Sequence, residues 1–199
     1  SKYYKYSEFK ESDLVRYREL FFNPRIMAIG VMGFASGLPL SLSDSTLQAW
    51  LTVENISIAS IGMFSLVGFP YLFKFIWAPL LDCLNLGFLG RRKDWIFVFQ
   101  LCVAASLLFM GQMDFAQNKL YILGAIAFSI ALFSASQDIV VDAYRADVSM
   151  PDERALAAAI SVTGYRIAMI VSGAGALIAA QTIGFGMVYS ILGLLMVLC

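Results

Sequence analysis

Residues 120–146 read LYILGAIAFSIALFSASQDIVVDAYRA, and this stretch decides the fold class. Its first half is apolar and uncharged, and at 1.5 Å per residue a helix of this length crosses the apolar core of a bilayer, which is about 30 Å thick. Its second half places Ser134, Asp138 and Asp142 at positions i, i+4 and i+8, which lie on one side of a helix. The stretch therefore predicts a membrane-spanning helix with a polar stripe.

The rest of the chain has the composition of a protein that lies largely inside a membrane. Of its 199 residues, 60% are apolar and 14% are charged, and the net charge is zero. A soluble domain of this size needs a more polar surface. Apolar runs of about twenty residues, the length that crosses a bilayer, recur along the chain. They predict an all-α membrane protein with six transmembrane helices, at about 26–51, 57–81, 95–112, 120–146, 154–181 and from 186 onward.

Basic residues divide the connecting segments into two groups. The segment before the first helix and the loops after the second and fourth helices carry Lys2, Lys5, Lys10, Arg16, Arg18, Arg25, Arg91, Arg92, Lys93, Arg145 and Arg154. The alternate loops hold only Lys119 among basic residues. Because basic loops remain on the cytoplasmic side of a membrane, we expect the N-terminus to be cytoplasmic.

These observations divide the chain into two parts. We expect residues 1–25 to be a cytoplasmic segment and residues 26–199 to be a six-helix domain. The sixth apolar run is only about fourteen residues long at Cys199, where a span needs about twenty, so we expect the sixth helix to be truncated.

Charged residues inside a membrane span each need a reason, and four stand out: Lys74, Asp138, Asp142 and Arg166. Lys74 and Asp138 both lie roughly 12 Å from the cytoplasmic ends of their helices. Arg166 lies roughly 18 Å in, near the middle of the bilayer, and its long side chain can snorkel back toward Asp138. We therefore expect these acidic and basic groups to lie within reach of one another.

The first predicted helix carries a second polar stripe, formed by Gly37, Ser41, Asp44, Ser45 and Gln48. Two such stripes favour a shared water-accessible cavity, and the alternative is static charge pairing that holds the helices together. Because a nearby cation changes the proton affinity of a carboxylate, we predict Asp138 as the proton-linked group, with Lys74 beside it. Asp142 is the second candidate, or it pairs with Arg145. Asp44 is expected in a solvated position near the periplasmic mouth.

Small residues mark where helices pack closely. Gly33 and Gly37 form a GxxxG step in the first helix, and the fifth helix carries a ridge at i+4 spacing: Ala168, Ser172, Ala176 and Ala180. Such ridges let two backbones approach where lipid provides no hydrophobic drive for association.

A further motif follows the second helix. Asp82 at the helix end is followed by Gly90, Arg91 and Arg92, which resembles the loop signature of major facilitator transporters but with a longer spacing. A carboxylate and a basic turn can lock two helices in one conformation and release them in another. We predict a conformational gate from these residues together with Arg145 and Arg154 of the next cytoplasmic loop. The alternative is ordinary cytoplasmic positive charge.

The absence of histidine excludes much enzyme chemistry. No His-based triad, HExxH zinc site or His proton shuttle can exist in this chain. An intramembrane transferase would need a clustered nucleophile and base, and only carboxylates and Lys74 remain. A membrane sensor would need loops large enough to hold a ligand domain. We therefore expect no enzyme, no metal and no cofactor other than a proton gradient, and no nucleic-acid partner.

Several motifs together resemble the AmpG family of muropeptide permeases. They are Gly33–Leu40 (GFASGLPL), Thr46–Trp50 (TLQAW), Val53–Asn55 (VEN), Phe64–Gly68 (FSLVG), Phe73–Phe75 (FKF) with Trp77 and Pro79, Gly90–Arg92 (GRR), Ser134–Val140 (SASQDIV) with Asp142 and Ala143, Ala159–Val162 (AISV) and Gly164–Arg166 (GYR). The resemblance covers nearly everything from about residue 20 onward. Asp44 departs from it, since a small polar residue is expected there.

The resemblance implies the N-terminal six-helix half of a major facilitator fold, in a multi-pass protein of the bacterial inner membrane. Such permeases import anhydro-muropeptides, which are amino-sugar disaccharides with a short peptide, by proton symport for cell-wall recycling linked to β-lactamase induction. The missing C-terminal half would close the pathway, so this chain is expected not to transport alone. Residues that match the family are Lys74, Gln137, Asp138, Asp142 and Arg166.

The chemistry of such a substrate suggests contacts. Lys74 and Arg166 would bind the peptide carboxylates, and the sugar hydroxyls would bind Ser41, Gln48, Ser134 and Gln137. Trp50, Tyr144 and Tyr165 would stack on sugar faces. The acetyl-coenzyme A transporter group shares the Gln-Asp-Ile and Gly-Arg-Arg motifs and is the alternative. Its larger anionic substrate would call for more basic residues than Lys74 and Arg166.

Overall fold

The computed structural model describes residues 23–83, 90–113, 120–151 and 153–199. Every regular element in these ranges is helical, which confirms the all-α class. The six predicted helices are all present as α1 to α6. Their bounds are Pro24–Val53 for α1, Ile58–Ile76 continued by Ala78–Cys83 for α2, Arg91–Gly111 for α3, Leu120–Val148 for α4, Arg154–Ile183 for α5 and Phe185–Leu198 for α6.

Length and hydropathy identify the helices that can cross a membrane. Five of the described helices, α1 to α5, are long and apolar enough, which makes the chain a multi-pass membrane protein. The sixth, α6, is apolar but has 14 residues, shorter than a span. Most of the predicted cytoplasmic segment 1–25 and of the basic loop between α2 and α3 lies outside the described residues. The ends of α1, α3, α4 and α5 that carry Arg25, Arg92, Arg145 and Arg154 are called the basic end below.

The helix α1 is interrupted near its far end. It runs as Pro24–Ser43 and resumes as Ser45–Val53, with Asp44 between them at φ −115° and ψ −95°. Pro39 lies inside the first part and cannot donate a backbone hydrogen bond. The Ser43 hydroxyl donates back to the Pro39 and Leu40 carbonyls at 3.0 and 3.1 Å, and such back-bonding bends helices.

Two other helices leave α geometry where the sequence contains proline or glycine. In α2, a 3-10 segment at Ser65–Gly68 precedes Pro70, and a second at Lys74–Ile76 precedes Pro79. Proline removes a donor from the ladder, and short 3-10 turns are a common result. In α5, a π segment occupies Val171–Gly175.

The closest helix pair is α1 with α5. A Cβ added at Gly33 would overlap the backbone of Ser161, and one added at Gly37 would overlap that of Tyr165. On the other side, Gly164 lies against the Gly30 carbonyl. The GxxxG prediction is therefore confirmed, and its partner is α5. The predicted ridge of α5 is also buried, at Ala168, Ser172, Ala176 and Ala180.

The main core lies where α1, α3, α4 and α6 meet. Leu38 and Leu42 of α1, Leu107 of α3, Ile130 of α4 and Tyr189 of α6 are fully buried in one cluster. The Tyr189 hydroxyl donates to the Leu42 carbonyl at 2.6 Å, which satisfies its one donor inside the core. This packing fixes the position of α4, which carries the acidic residues.

Candidate functional site

The centre of the site is an ion pair between α2 and α4. Lys74 Nζ lies 3.2 Å from Asp138 Oδ2, and the two side chains are 35% and 13% exposed. The 3-10 turn that begins at Lys74 and the polar stripe of α4 bring these groups together. The predicted proximity of Lys74 and Asp138 is confirmed. Because charges inside a span are costly unless paired, the pair is the arrangement that a membrane requires.

Hydroxyl groups from four helices surround this ion pair. Ser36 of α1 faces the Asp138 carboxylate, and Tyr71 of α2 faces Ser134 and Asp138. Tyr165 of α5 faces the same carboxylate. The Ser36, Tyr71 and Ser134 hydroxyls are buried and have no hydrogen-bond partner among the described residues. The site is therefore richer in hydroxyls than the sequence analysis predicted.

Two of these residues, Ser36 and Tyr71, were missed from the sequence. Tyr71 precedes Lys74 by three residues, so the spacing of one helical turn was a signal that it shares a face with Lys74. Ser36 lies in the Gly33–Gly37 stretch, which was interpreted as a packing and family motif and not as part of the site. Ser134, in contrast, was predicted and lies at the site with 0% exposure.

Two other predicted charges lie beside the ion pair without joining it. Arg166 is exposed and forms no ion pair with any described carboxylate, so the expected contact with Asp138 is absent from the described residues. Asp142 is 58% exposed and bonds Arg145 at 3.1 Å across one helical turn. Of the two roles left open for Asp142, the structure contains the ion pair with Arg145.

The Gln137 side chain lies on a different side of α4 from Asp138. Its side chain is fully buried, and its Nε2 donates to Gln100 Oε1 of α3 at 3.2 Å. Gln100 Nε2 in turn donates to the Met196 carbonyl of α6 at 2.7 Å. This chain of bonds joins α3, α4 and α6. Gln137 and Asp138 are neighbours in the sequence, and neighbouring side chains on a helix point about 100° apart. Asp138 therefore faces the ion pair while Gln137 faces α3, where it makes a structural contact in place of the predicted sugar contact.

Trp50 also belongs to the core and not to the site. It is 4% exposed, stacks on Phe185 with ring centroids 5.5 Å apart, and contacts Tyr189 at 5.0 Å. Stacking of Trp50 on a sugar is therefore excluded in this conformation. Tyr144 packs against the small cluster that contains Val140 and Val141, whereas Tyr165 remains at the site.

The polar residues of α1 lie farther from the basic end. Ser41 is buried and its hydroxyl donates to the Met169 carbonyl of α5 at 3.4 Å. Asp44 is exposed, as expected, and accepts a bond of 2.8 Å from Gln48 Nε2. The predicted substrate contacts of Ser41 and Gln48 therefore compete with bonds inside the protein.

At the basic end, Arg92 joins three helices. It lies at the start of α3 and bonds Asp82 of α2 at 3.3 Å and Asp147 of α4 at 2.5 Å. Gly90 precedes it with φ +117°, a conformation that favours glycine. Arg92 and Asp82 of the predicted gate are thus paired, with Asp147 as a second partner, and the gating role stays a prediction. The Arg91 side chain lies outside the described part of the structure, Arg145 bonds Asp142, and Arg154 is exposed.

Comparisons with known proteins agree with a transport function. Residues 26–185 match the family model described as acetyl-coenzyme A transporter 1. The chain is 45% identical over 185 residues to the anhydromuropeptide permease of Escherichia coli strain K12, covering 92% of this chain and 38% of the relative. It is 34% identical over 175 residues to the putative transporter AmpG 4 of Rickettsia conorii, covering 85% of this chain and 42% of the relative.

A third relative, from Haemophilus influenzae, is described as an uncharacterized protein and is 40% identical over 152 residues. The predicted similarity to AmpG-type permeases is confirmed by these matches, and the relatives that carry a functional name are permeases or transporters, not enzymes. The chain spans roughly two fifths of the length of these relatives, at 38%, 42% and 36%.

Proposed function

The chain belongs to the acetyl-coenzyme A transporter 1 family, and we propose that the complete protein is a permease of this family that imports anhydro-muropeptides by proton symport. The substrate follows from the 45% identity to a relative named anhydromuropeptide permease. The coupling rests on one observation, the Lys74–Asp138 ion pair inside the spans. We place the protein in the bacterial inner membrane with the basic end in the cytoplasm, since basic loops stay inside.

The ion pair offers a direct mechanism for coupling. A carboxylate of the substrate that binds Lys74 competes with Asp138 for the cation. Asp138 would then lie in a largely buried position without its counter-ion, where a carboxylate binds a proton more readily. Substrate binding and proton binding therefore favour each other, and return of Lys74 to Asp138 after substrate release expels the proton.

The remaining step is a change in which side is open. The Arg92 contacts with Asp82 and Asp147 hold the basic ends of α2, α3 and α4 together in this conformation. Opening toward the cytoplasm would separate these groups, and closing would re-form them. Alternation between two such states, with the second half of the protein as the opposing wall, is the proposed transport cycle.

Uptake by membrane vesicles tests the proposal. Vesicles with the complete protein are given labelled anhydro-muropeptide with and without an inward proton gradient, and the accumulated label is measured. Accumulation should require the gradient, and Asp138→Asn should abolish it while folded protein is still recovered. Glu153→Gln, the same chemical change at a loop position before α5, should accumulate label like the wild type. Normal accumulation by Asp138→Asn would show that the coupling assignment is wrong.

The family match also supports a second candidate, acetyl-coenzyme A, through the name of the family model. That substrate carries several phosphate charges. The described spans have Lys74 and Arg166 as the cations away from their ends, and Lys74 is already paired with Asp138. The muropeptide is therefore the better fit to this half. Labelled acetyl-coenzyme A in the same vesicles distinguishes the two, because the true substrate accumulates and the other does not.

A further inference from the structure

Three buried hydroxyls beside the ion pair lack a hydrogen-bond partner in the described part of the chain. Ser36 is 3% exposed and Ser134 is 0% exposed, and the Tyr71 hydroxyl is buried as well. A hydroxyl can donate one bond and accept two, and nearly all buried polar groups are paired with protein or water. That three such groups share one place indicates that the place binds something polar.

The geometry between these hydroxyls suits water. The Tyr71 hydroxyl faces those of Ser134 and Ser43, and Ser36 faces the Asp138 carboxylate. Neither Tyr71 nor Ser36 makes a direct hydrogen bond of acceptable geometry there. Buried hydroxyls that face each other without a well-directed hydrogen bond leave donor and acceptor capacity that water can fill.

A cavity lies next to these hydroxyls, on the side that faces away from the basic end. It has a volume of about 290 Å³ and lies where α1 is interrupted, between α1 and α2. Its polar lining consists of Ser43, Asp44, Ser65 and Tyr71. The volume holds several waters, since one water takes about 30 Å³. Tyr71 therefore contacts the cavity on one side and faces the surroundings of Asp138 on the other.

Tyr189 provides a contrast to Tyr71, of which only the hydroxyl is buried. Tyr189 is fully buried, but its hydroxyl donates to the Leu42 carbonyl at 2.6 Å and its ring packs on Trp50. The fully buried Tyr189 hydroxyl is thus satisfied by the protein itself.

We propose that Ser36, Tyr71 and Ser134 hold internal water that links the cavity at Asp44 to the Lys74–Asp138 ion pair. Its role as the proton entry path rests on the proposed proton symport. A proton entering at the cavity is passed from water to water, and the Tyr71 hydroxyl accepts one proton as it releases its own. Asp138 ends as a neutral carboxylic acid, and Lys74 keeps its charge.

The groups that face Asp138 define the end of this path. Lys74 and Tyr71 approach from α2, Ser36 from α1 and Tyr165 from α5, and Asp142 lies one turn along α4. Tyr71 is accordingly a relay group on this path and not a substrate contact.

Radiolytic hydroxyl-radical labelling of the complete protein tests the water site without any transport assay. Radicals formed from bound water modify buried side chains beside it, and mass spectrometry measures the rate for each residue. Tyr71, which is partly exposed and lines the cavity, should be modified several-fold faster than Tyr189, the fully buried control. Equal slow rates for the two tyrosines would overturn the proposal.

Transport variants test the role of the path. Tyr71→Phe should lower gradient-driven accumulation several-fold and retain substrate exchange at equal pH, and Ser134→Ala should lower gradient-driven accumulation as well. The control is Ser172→Ala, a fully buried serine whose hydroxyl donates to the Ala168 carbonyl at 2.8 Å. Ser134→Ala carries the test if Tyr71→Phe does not fold. Accumulation by both variants at the level of Ser172→Ala overturns the path.

The two experiments separate failure of the path from failure of the proposed function. A wild-type protein that shows no gradient-driven accumulation overturns proton symport, and with it the role of the path. The labelling rates of Tyr71 and Tyr189 still decide whether water is bound there.

Discussion

Among single residues, the ion pair of Lys74 with Asp138 has the largest expected energetic effect. Its two side chains are 35% and 13% exposed, so removing the cation leaves a mostly buried carboxylate without a partner. We predict that Lys74→Met lowers the free energy of unfolding by about 1–3 kcal/mol, the usual cost of an unsatisfied buried group. Thermal unfolding in detergent measures the change. Lys93→Met, which removes an exposed lysine, is the control.

A double substitution distinguishes the cost of an unpaired carboxylate from the loss of the ion pair itself. Lys74→Met with Asp138→Asn removes both charges, so most of the stability lost in Lys74→Met should return. A double variant less stable than Lys74→Met alone would contradict the view that the unpaired carboxylate causes the loss.

The sequence predicted the depth of polar residues along their helices better than the direction in which they face. Lys74 and Asp138 were placed at the same depth, and they form an ion pair. Gln137 and Trp50 were also placed near the site, but both are buried against other helices. Depth depends only on the rise per residue, whereas the direction depends on which helices pack on each side. That information lies in the tertiary structure.

Among the helices, α1 and α5 depend on a contact between backbones. Because a Cβ at Gly33 would overlap the Ser161 backbone, Gly33→Ala must push the helices apart. We predict a loss of about 1–3 kcal/mol or more, as for other overpacked contacts. Gly62→Ala is the matched control, since no atom lies within 4 Å of its added Cβ. Thermal stability and the yield of folded protein measure both variants, and equal yields would contradict the prediction.

The approximate bounds of the helices were predicted from the sequence, but the interruptions within them were not. Hydropathy reports the length of a span but not its internal geometry, so α1, α2 and α5 were each predicted as continuous. The interruption of α1 and the π segment of α5 lie together, since the Thr46 hydroxyl donates to the Ser172 carbonyl at 2.8 Å. Such a bond joins residues 126 positions apart and therefore leaves no local pattern in the sequence.

For the molecule as a whole, Arg92 connects three helices at the basic end. If its contacts with Asp82 and Asp147 hold one transport state, Arg92→Gln shifts the balance between states and slows uptake several-fold in the complete protein. The uptake rate of Arg92→Lys should lie between those of the wild type and Arg92→Gln. A lysine keeps the positive charge but lacks the planar guanidinium group that can bind two carboxylates. Lys93→Gln tests the alternative of ordinary positive charge. Equal rates for Arg92→Gln and Lys93→Gln would favour that alternative.

The exposed charges of the chain bear on where the proposed second half would lie. Arg166 is exposed near the middle of α5, and Asp142 is 58% exposed on α4. Charged groups at such depths do not face lipid, because hydrocarbon cannot solvate them. Arg166 therefore faces water or the proposed second half, whereas the exposed apolar side chains of α3, such as Leu101 at 43% exposure, can face lipid.

Cysteine labelling of the complete protein tests this division of the surface. In a background with Cys83, Cys102 and Cys199 changed to serine, Arg166→Cys should react with a water-soluble maleimide. Leu101→Cys, at the middle of α3, should not react, because thiols in lipid stay protonated and out of reach of the reagent. Protection of Arg166→Cys by the transported substrate would place it in the pathway. Equal labelling of both positions would mean that water does not reach α5 selectively, and the proposed arrangement of the two halves would fail.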